Sequence, residues 1–132
     1  KKEIVYESLG AGFGDSKTNR EVEQAAINCV TGHYKNRGGS VKSVESEKCG
    51  YDLLCTKDLQ EEHVEVKGIQ GEVVAFIITA NEVKQSANEN FVLCAVTSAL
   101  SEEKRQPHWF RAKELKDQFT LEPISYNAVL RK

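Results

Sequence analysis

The spacing of hydrophobic residues changes along this chain, and each spacing predicts a different element. From Thr18 to Gly39, Val22, Ala25, Ala26, Cys29, Val30, His33 and Tyr34 recur at intervals of three and four. That is one stripe of a helix. Thr18 and Glu21 form a capping-box pair at its start, and Gly38 and Gly39 end it. Glu23 lies one step of about 100° from Val22. It borders the stripe, where a carboxylate could lean over a sheet edge.

Beyond the glycines the period falls to two. "SVKSVES" predicts a short strand. "GYDLLCT" and "HVEVKG" predict two strands of a hairpin joined through "KDLQEE". "EVVAFIIT" is apolar at nearly every position, as expected of a central strand covered on both faces. "TANEVKQSANEN" predicts a second helix that opens on the capping box of Thr79 and Glu82. "FVLCAVTSAL" reads as another buried strand and "PHWFRAKELKDQF" as a short helix. "TLEPISYNAVL" reads as a tail docked through Leu121, Ile124 and Tyr126. The order is helix, three or four strands, helix, strand, helix. It predicts an α/β or α+β domain with a mixed sheet and the first helix on one face. The glycines of "GAGFGDS" match neither phosphate-loop spacing. Residues 1–17 therefore read as a flexible arm and residues 18–132 as a single domain.

Composition narrows this little. The chain has 132 residues, 39% hydrophobic and 29% charged, as in an ordinary single-domain globule. No run is long enough for a membrane span. The chain starts "KKEIV" and contains no Met, so it is expected to be a piece excised from a larger protein. Cys29, Cys49, Cys55 and Cys94 show no C-x-x-C spacing. A reducing, cytoplasmic setting is their simplest reading. The formal net charge of −2 lacks the basic signature of a stand-alone duplex binder. Contact with nucleic acid would need a local basic patch or a partner domain. "EEKRQPHWFRAK" is the densest basic and aromatic stretch. Trp109 within it reads first as an anchor to the core.

The chemistry is in the hairpin. A turn centred between Asp58 and Leu59 sets Leu53 opposite Val64, Tyr51 opposite Val66 and Asp52 opposite Glu65. Tyr51, Leu53, Val64 and Val66 then share a core face, and a slip of one residue would turn this apolar set over. Asp52, Glu65 and Lys67 share the other face. An E-x-K step alone is an ordinary solvated strand face. Two opposed carboxylates repel, however, and a sheet covered on both faces needs a reason to hold them. A divalent cation would remove the repulsion. Lys67, about 7 Å along the strand, could orient a water or stabilise a charged transition state. His63 on the same face reads as a half-exposed strand histidine, and His33 as a residue at the core edge. The capping box already accounts for Glu82.

The pattern "VEQAAINCV…GYDLLC…HVEVKG…FIITANEV…FVLCAVT" resembles the domain at the C-terminus of the plant protein NO VEIN, which also occurs in many bacterial proteins. That family is similar to the PD-(D/E)XK, or restriction-endonuclease-like, nucleases. The resemblance covers roughly residues 18–98. It implies an αβββαβ core and phosphodiester hydrolysis with Mg²⁺ or Mn²⁺, on DNA before RNA. Asp52 matches the first acid, Glu65 the second and Lys67 the lysine. The carbonyl of Val66 is implied as a further ligand. Glu23 matches a helical acid by place, and Gln85 or Lys84 a residue of the following helix. The proline that often precedes the first acid is replaced by Tyr51. A role in bacterial restriction or defence, beside other domains of a larger protein, is also implied. Oligomeric state is left open. The alternatives are a nuclease-like module without catalysis, and an α/β domain that binds a small molecule or peptide. Asp52 and Glu65 on opposite faces would favour the last.

Overall fold

The structure, a computed structural model, describes residues 15–132. The glycine-rich arm falls almost wholly outside them. Asp15 opens the first helix, α1 (Ser16–Asn36), with its carboxylate accepting from the N–H groups of Lys17 and Thr18 at 3.0 Å. Thr18, the expected cap, instead stands inside the first turn and donates its hydroxyl to Asp15. A carboxylate that meets two free N–H groups is a stronger cap than a hydroxyl placed further along.

Five strands follow in the spatial order β1-β2-β3-β4-β5. They are β1 (Ser40–Ser43), β2 (Leu53–Lys57), β3 (Gln60–Gly68), β4 (Phe91–Thr97) and β5 (Gln106–Arg111). The first three run antiparallel, β3 and β4 are parallel, and β5 returns antiparallel. A helix, α2 (Ala80–Gln85), lies in the crossover from β3 to β4, and α3 (Ala112–Gln118) follows β5. This mixed five-stranded sheet flanked by helices is the α+β architecture expected, with an αβββαβ-type core.

The hairpin turn falls where predicted. Asp58 and Leu59 both have positive φ, at 52° and 68°, the conformation of a tight two-residue connection. Leu53 pairs with Val64. Alternation then sorts β3 and β4 cleanly. Val64, Val66, Val92, Cys94 and Val96 face α1 and pack on Val22, Ala26 and Val30. Phe91, Leu93 and Ala95 face the other way, with Ile69 and Leu115. Gly68 is where α1 and β3 come closest. A Cβ there would lie 2.6 Å from the carbonyl oxygen of Val22.

Four expectations on elements and packing are corrected. "EVVAFIIT" is not a central strand. β4 holds that place and is buried at every position. Both edges of β3 are taken by β2 and β4, so the run cannot pair beside the hairpin and forms no more than a single bridge at Phe76. It crosses the second face instead as an irregular cover, with Val74, Phe76 and Ile78 against the core. "PHWFR" is strand rather than helix. Pro107 is tolerated because β5 is an edge, and only Ala112 onward is helical. The tail does not dock: Leu121, Ile124 and Tyr126 are 51%, 65% and 85% exposed. Tyr51 leaves the core face and stacks on His63, with centroids 4.4 Å apart and planes 6° from parallel.

Candidate active site

Three elements bring charged groups to the second face of the sheet. β3 supplies Glu65 and Lys67, whose register partners on β4 are Leu93 and Ala95. Both charged residues are buried, Glu65 to 2% exposure and Lys67 to 9%. The segment entering β2 supplies Asp52. The β2–β3 ladder ends at Leu53, but Asp52 continues it in altered form. Its backbone N–H donates to Val64 O, and its Oδ2 accepts the N–H of Val66, both at 2.9 Å. A side chain thus fills the rung that a backbone carbonyl would otherwise occupy. That bond aims the carboxylate at β3. The predicted register holds as far as Leu53 and Val64, and the charge of Asp52 adds to the cost of ionising Glu65.

Helix α2 supplies the third acid, Glu82. The expected capping box is present: Glu82 N–H donates to Thr79 Oγ1 at 3.1 Å, and Thr79 N–H donates to Glu82 Oε1 at 3.0 Å. The same Oε1 also accepts from Lys67 Nζ at 2.9 Å. Lys67 Nζ lies 3.2 Å from Glu65 Oε2 as well. The ammonium is therefore held between two carboxylates. Sequence reasoning passed over Glu82 because the capping box seemed to exhaust it. A signal was present: the crossover places the N-terminus of α2 beside the carboxyl end of β3, where α/β folds gather ligands.

The electrostatics follow from burial. Desolvation pushes Glu65 up to about 9, against the opposing pull of Lys67. Desolvation also pushes Asp52 up to about 6, against the Val66 N–H that favours its ionised form. For Lys67, burial disfavours the charge, but Glu65 and Glu82 more than offset it and the pKa is raised. Burial works against Glu82 too, yet the Thr79 N–H and Lys67 leave it lowered. One atom is unprovided for. Glu65 Oε1 is buried without a hydrogen-bond partner when the acid is ionised. A proton on Glu65 is favoured by a hydrogen bond from the carboxyl to Glu82.

A divalent cation would provide for Glu65 Oε1. Asp52 and Glu65 are hard oxygen donors that suit Mg²⁺ or Mn²⁺. Among the described residues, no three His, Cys, Asp or Glu side chains converge as a metal cage. Mg²⁺ does not require one: a carboxylate or two, with water, phosphate or backbone oxygens, is its usual set. Val66, whose carbonyl is the further ligand expected, follows Glu65 in sequence and donates its N–H to Asp52.

The remaining candidates divide. Gln85 packs beside the site, its Cγ 2.3 Å from where a Cβ on Gly50 would stand. Lys84 is exposed. Glu23 is exposed on α1, with no hydrogen bond or ion pair to the cluster. His63 is covered by Tyr51 rather than offered as a ligand. His33 lies in a different place, on the α1 side, against Trp109 at 4.5 Å. Its pKa is lowered by burial and by Arg37, so the helix end does not hold it charged. Trp109 is an anchor as expected, although from a strand. A cleft of about 700 Å³ there is lined by His33, Tyr34, Glu62, Trp109 and Arg111 among others. All four cysteines are free thiols. No helix of the described residues is long and apolar enough to cross a membrane.

No curated protein and no solved structure matches the chain. The family described as Protein NO VEIN, C-terminal, matches residues 22–112. That stretch runs from the first buried residue of α1 to the start of α3 and contains Asp52, Glu65, Lys67 and Glu82. The chain belongs to the NO VEIN C-terminal family.

Proposed function

We propose that this domain is a PD-(D/E)XK-type nuclease that hydrolyses phosphodiesters of nucleic acid, DNA first, with Mg²⁺ or Mn²⁺. The unpartnered Glu65 Oε1, buried beside Asp52 and two residues from Lys67, carries the reading. A buried acceptor without a donor costs about 1–3 kcal/mol. A fold keeps such a cost where a ligand removes it. When bound, a divalent ion supplies charge neutralisation at the phosphate and a more acidic water.

The chain's own residues do the rest. Asp52 and Glu65 offer oxygens fixed by a backbone hydrogen bond and by burial. Lys67 presents an ammonium one pleat repeat further, where it can orient the attacking water or meet the extra charge of the transition state. The net charge of −2 supports a module whose DNA is held partly by another domain. Residence in the cytoplasm and service in a bacterial restriction or defence system belong to the same proposal, on the strength of the family likeness.

The test is plasmid nicking with Mg²⁺ and with Mn²⁺, beside Lys67→Ala and Asp52→Ala. Wild type should nick and both variants should lose at least about tenfold in rate. Equal nicking by all three would remove these residues from the mechanism.

A second reading has an observation of its own. Lys67 is already satisfied by two carboxylates, as in a polar cluster kept for structure. A non-catalytic module for nucleic-acid or protein binding would show neither nicking nor stabilisation by metal.

A further inference from the structure

We propose that Glu82 is a positioning residue, which holds the Lys67 ammonium in place and makes its alignment depend on the docking of α2. Helix α2 is six residues long and none of them is buried. Apolar packing therefore contributes little to its seat. Two points hold it, one polar and one a close steric fit. One is Glu82 Oε1, which bridges Thr79 N–H and Lys67 Nζ at 3.0 and 2.9 Å. The other is Gly50, where an added Cβ would meet Gln85 Cγ at 2.3 Å and Asn81 Nδ2 at 3.1 Å. Gly50 stands just ahead of Tyr51 and Asp52. The helix thus rests on Lys67 with its first turn and on the segment that delivers Asp52 with its last. It touches both halves of the site.

Capping alone does not account for the carboxylate. The cap needs one acceptor for the Thr79 N–H, and a glutamine supplies it. The Thr79 N–H favours the ionised form, and Lys67 is the contact that brings a full positive charge to it. Glu65 cannot replace Glu82 in this role. Any ligand that takes up Glu65 leaves Glu82 as the carboxylate that still fixes the ammonium.

Glu82→Gln separates the two roles, because it keeps the cap and removes the charge. Lys67 is labelled with a small amine-acylating reagent and quantified by mass spectrometry, with exposed Lys113 as internal reference. In Glu82→Gln, labelling of Lys67 should rise about tenfold, the worth of one charge-assisted hydrogen bond. In Thr79→Ala, which loses the cap hydroxyl and keeps the carboxylate, it should stay near wild type. Unchanged labelling in Glu82→Gln overturns the proposal.

A second measurement needs no variant. A zero-length carbodiimide should join Lys67 to Glu82 in the wild-type chain, and capture by Glu65 alone would also overturn the proposal. The catalytic consequence rests on the nuclease reading. If wild type cuts plasmid, Glu82→Gln should lower kcat about tenfold with KM unchanged, and an unchanged kcat counts against positioning. If wild type does not cut, the nuclease reading fails, and labelling and cross-linking decide the role of Glu82 without it.

Discussion

Glu62 and Glu65 stand on the same strand, on opposite faces of the sheet, and the fold provides for them differently. On the α1 side Tyr34 OH donates to Glu62 Oε1 at 2.6 Å and Arg111 Nη2 donates to Oε2 at 2.5 Å. Both oxygens have a donor, and the side chain still touches solvent at 27% exposure. On the α2 side Glu65 is more deeply buried, has Lys67 on one oxygen and nothing on the other. Lys67 must also be shared with Glu82. The first cluster is complete. The second has three carboxyl groups and one ammonium, and it stays short of positive charge by one even when Glu65 holds a proton. A buried polar group kept for architecture comes with its partners, and the shortfall here is what supports the cation proposed for this face.

Removing the one cation should have the largest effect. Lys67→Met leaves the ionised Glu82 without its counter-charge and should cost about 3 kcal/mol by urea unfolding near pH 8. A loss below 1 kcal/mol would show that the acids are neutral or solvated in its absence.

The same substitution on the two faces should then have opposite signs. Glu65→Gln removes the cost of protonating a buried acid on folding, and its amide can donate toward Glu82. It should stabilise by about 2 kcal/mol at pH 8. Glu62→Gln weakens charge-assisted bonds to Tyr34 and Arg111 and should destabilise by about 1 kcal/mol, discounted for exposure. Like signs would break the contrast.

The pH dependence follows from the same acid. Folded, Glu65 keeps its proton to about pH 9, and unfolded only to its ordinary value of 4.5. Between those limits the folded state binds the extra proton, so its stability falls as pH rises. Asp52 adds a fall of the same sign between 3.8 and about 6. Glu65→Gln should flatten the upper part of this slope. A cation competes with the proton for the same acid. Mg²⁺ at ten times Kd should stabilise by about 1.4 kcal/mol, with a larger melting shift at pH 9 than at pH 6. Asp52→Asn should abolish that shift, and a shift that survives it would place the ion elsewhere. Tyr34→Phe, at the complete cluster, should be the mildest change, about 0.5 kcal/mol, because Arg111 remains.

The hairpin, its register and the acids on it were readable because a period of two names faces and a two-residue turn sets pairing. The run "EVVAFIIT" misled because hydrophobicity reports burial and not ladder bonds. A strand needs a free edge, and whether β3 had one was decided by β4, more than twenty residues away in sequence. "PHWFR" was too short to show its alternation against the helix that follows. Tail residues such as Tyr126 are apolar, but Val74, Phe76 and α3 already cover the face they would have used. Glu82 was missed for a different reason. One oxygen does two jobs, and the local job was visible in the sequence while the distant one was not.

The bare contact between Gly68 and Val22 bears on how such a site could open. With no side chain on the strand at this point, Gly68 lies directly against the backbone of Val22, and moving that wall would mean parting two backbones. The opposite wall is a six-residue helix seated on a glycine and a lysine. A bulky substrate would be admitted from that side, and the energy of admission would be set by the hold of α2 rather than by the core.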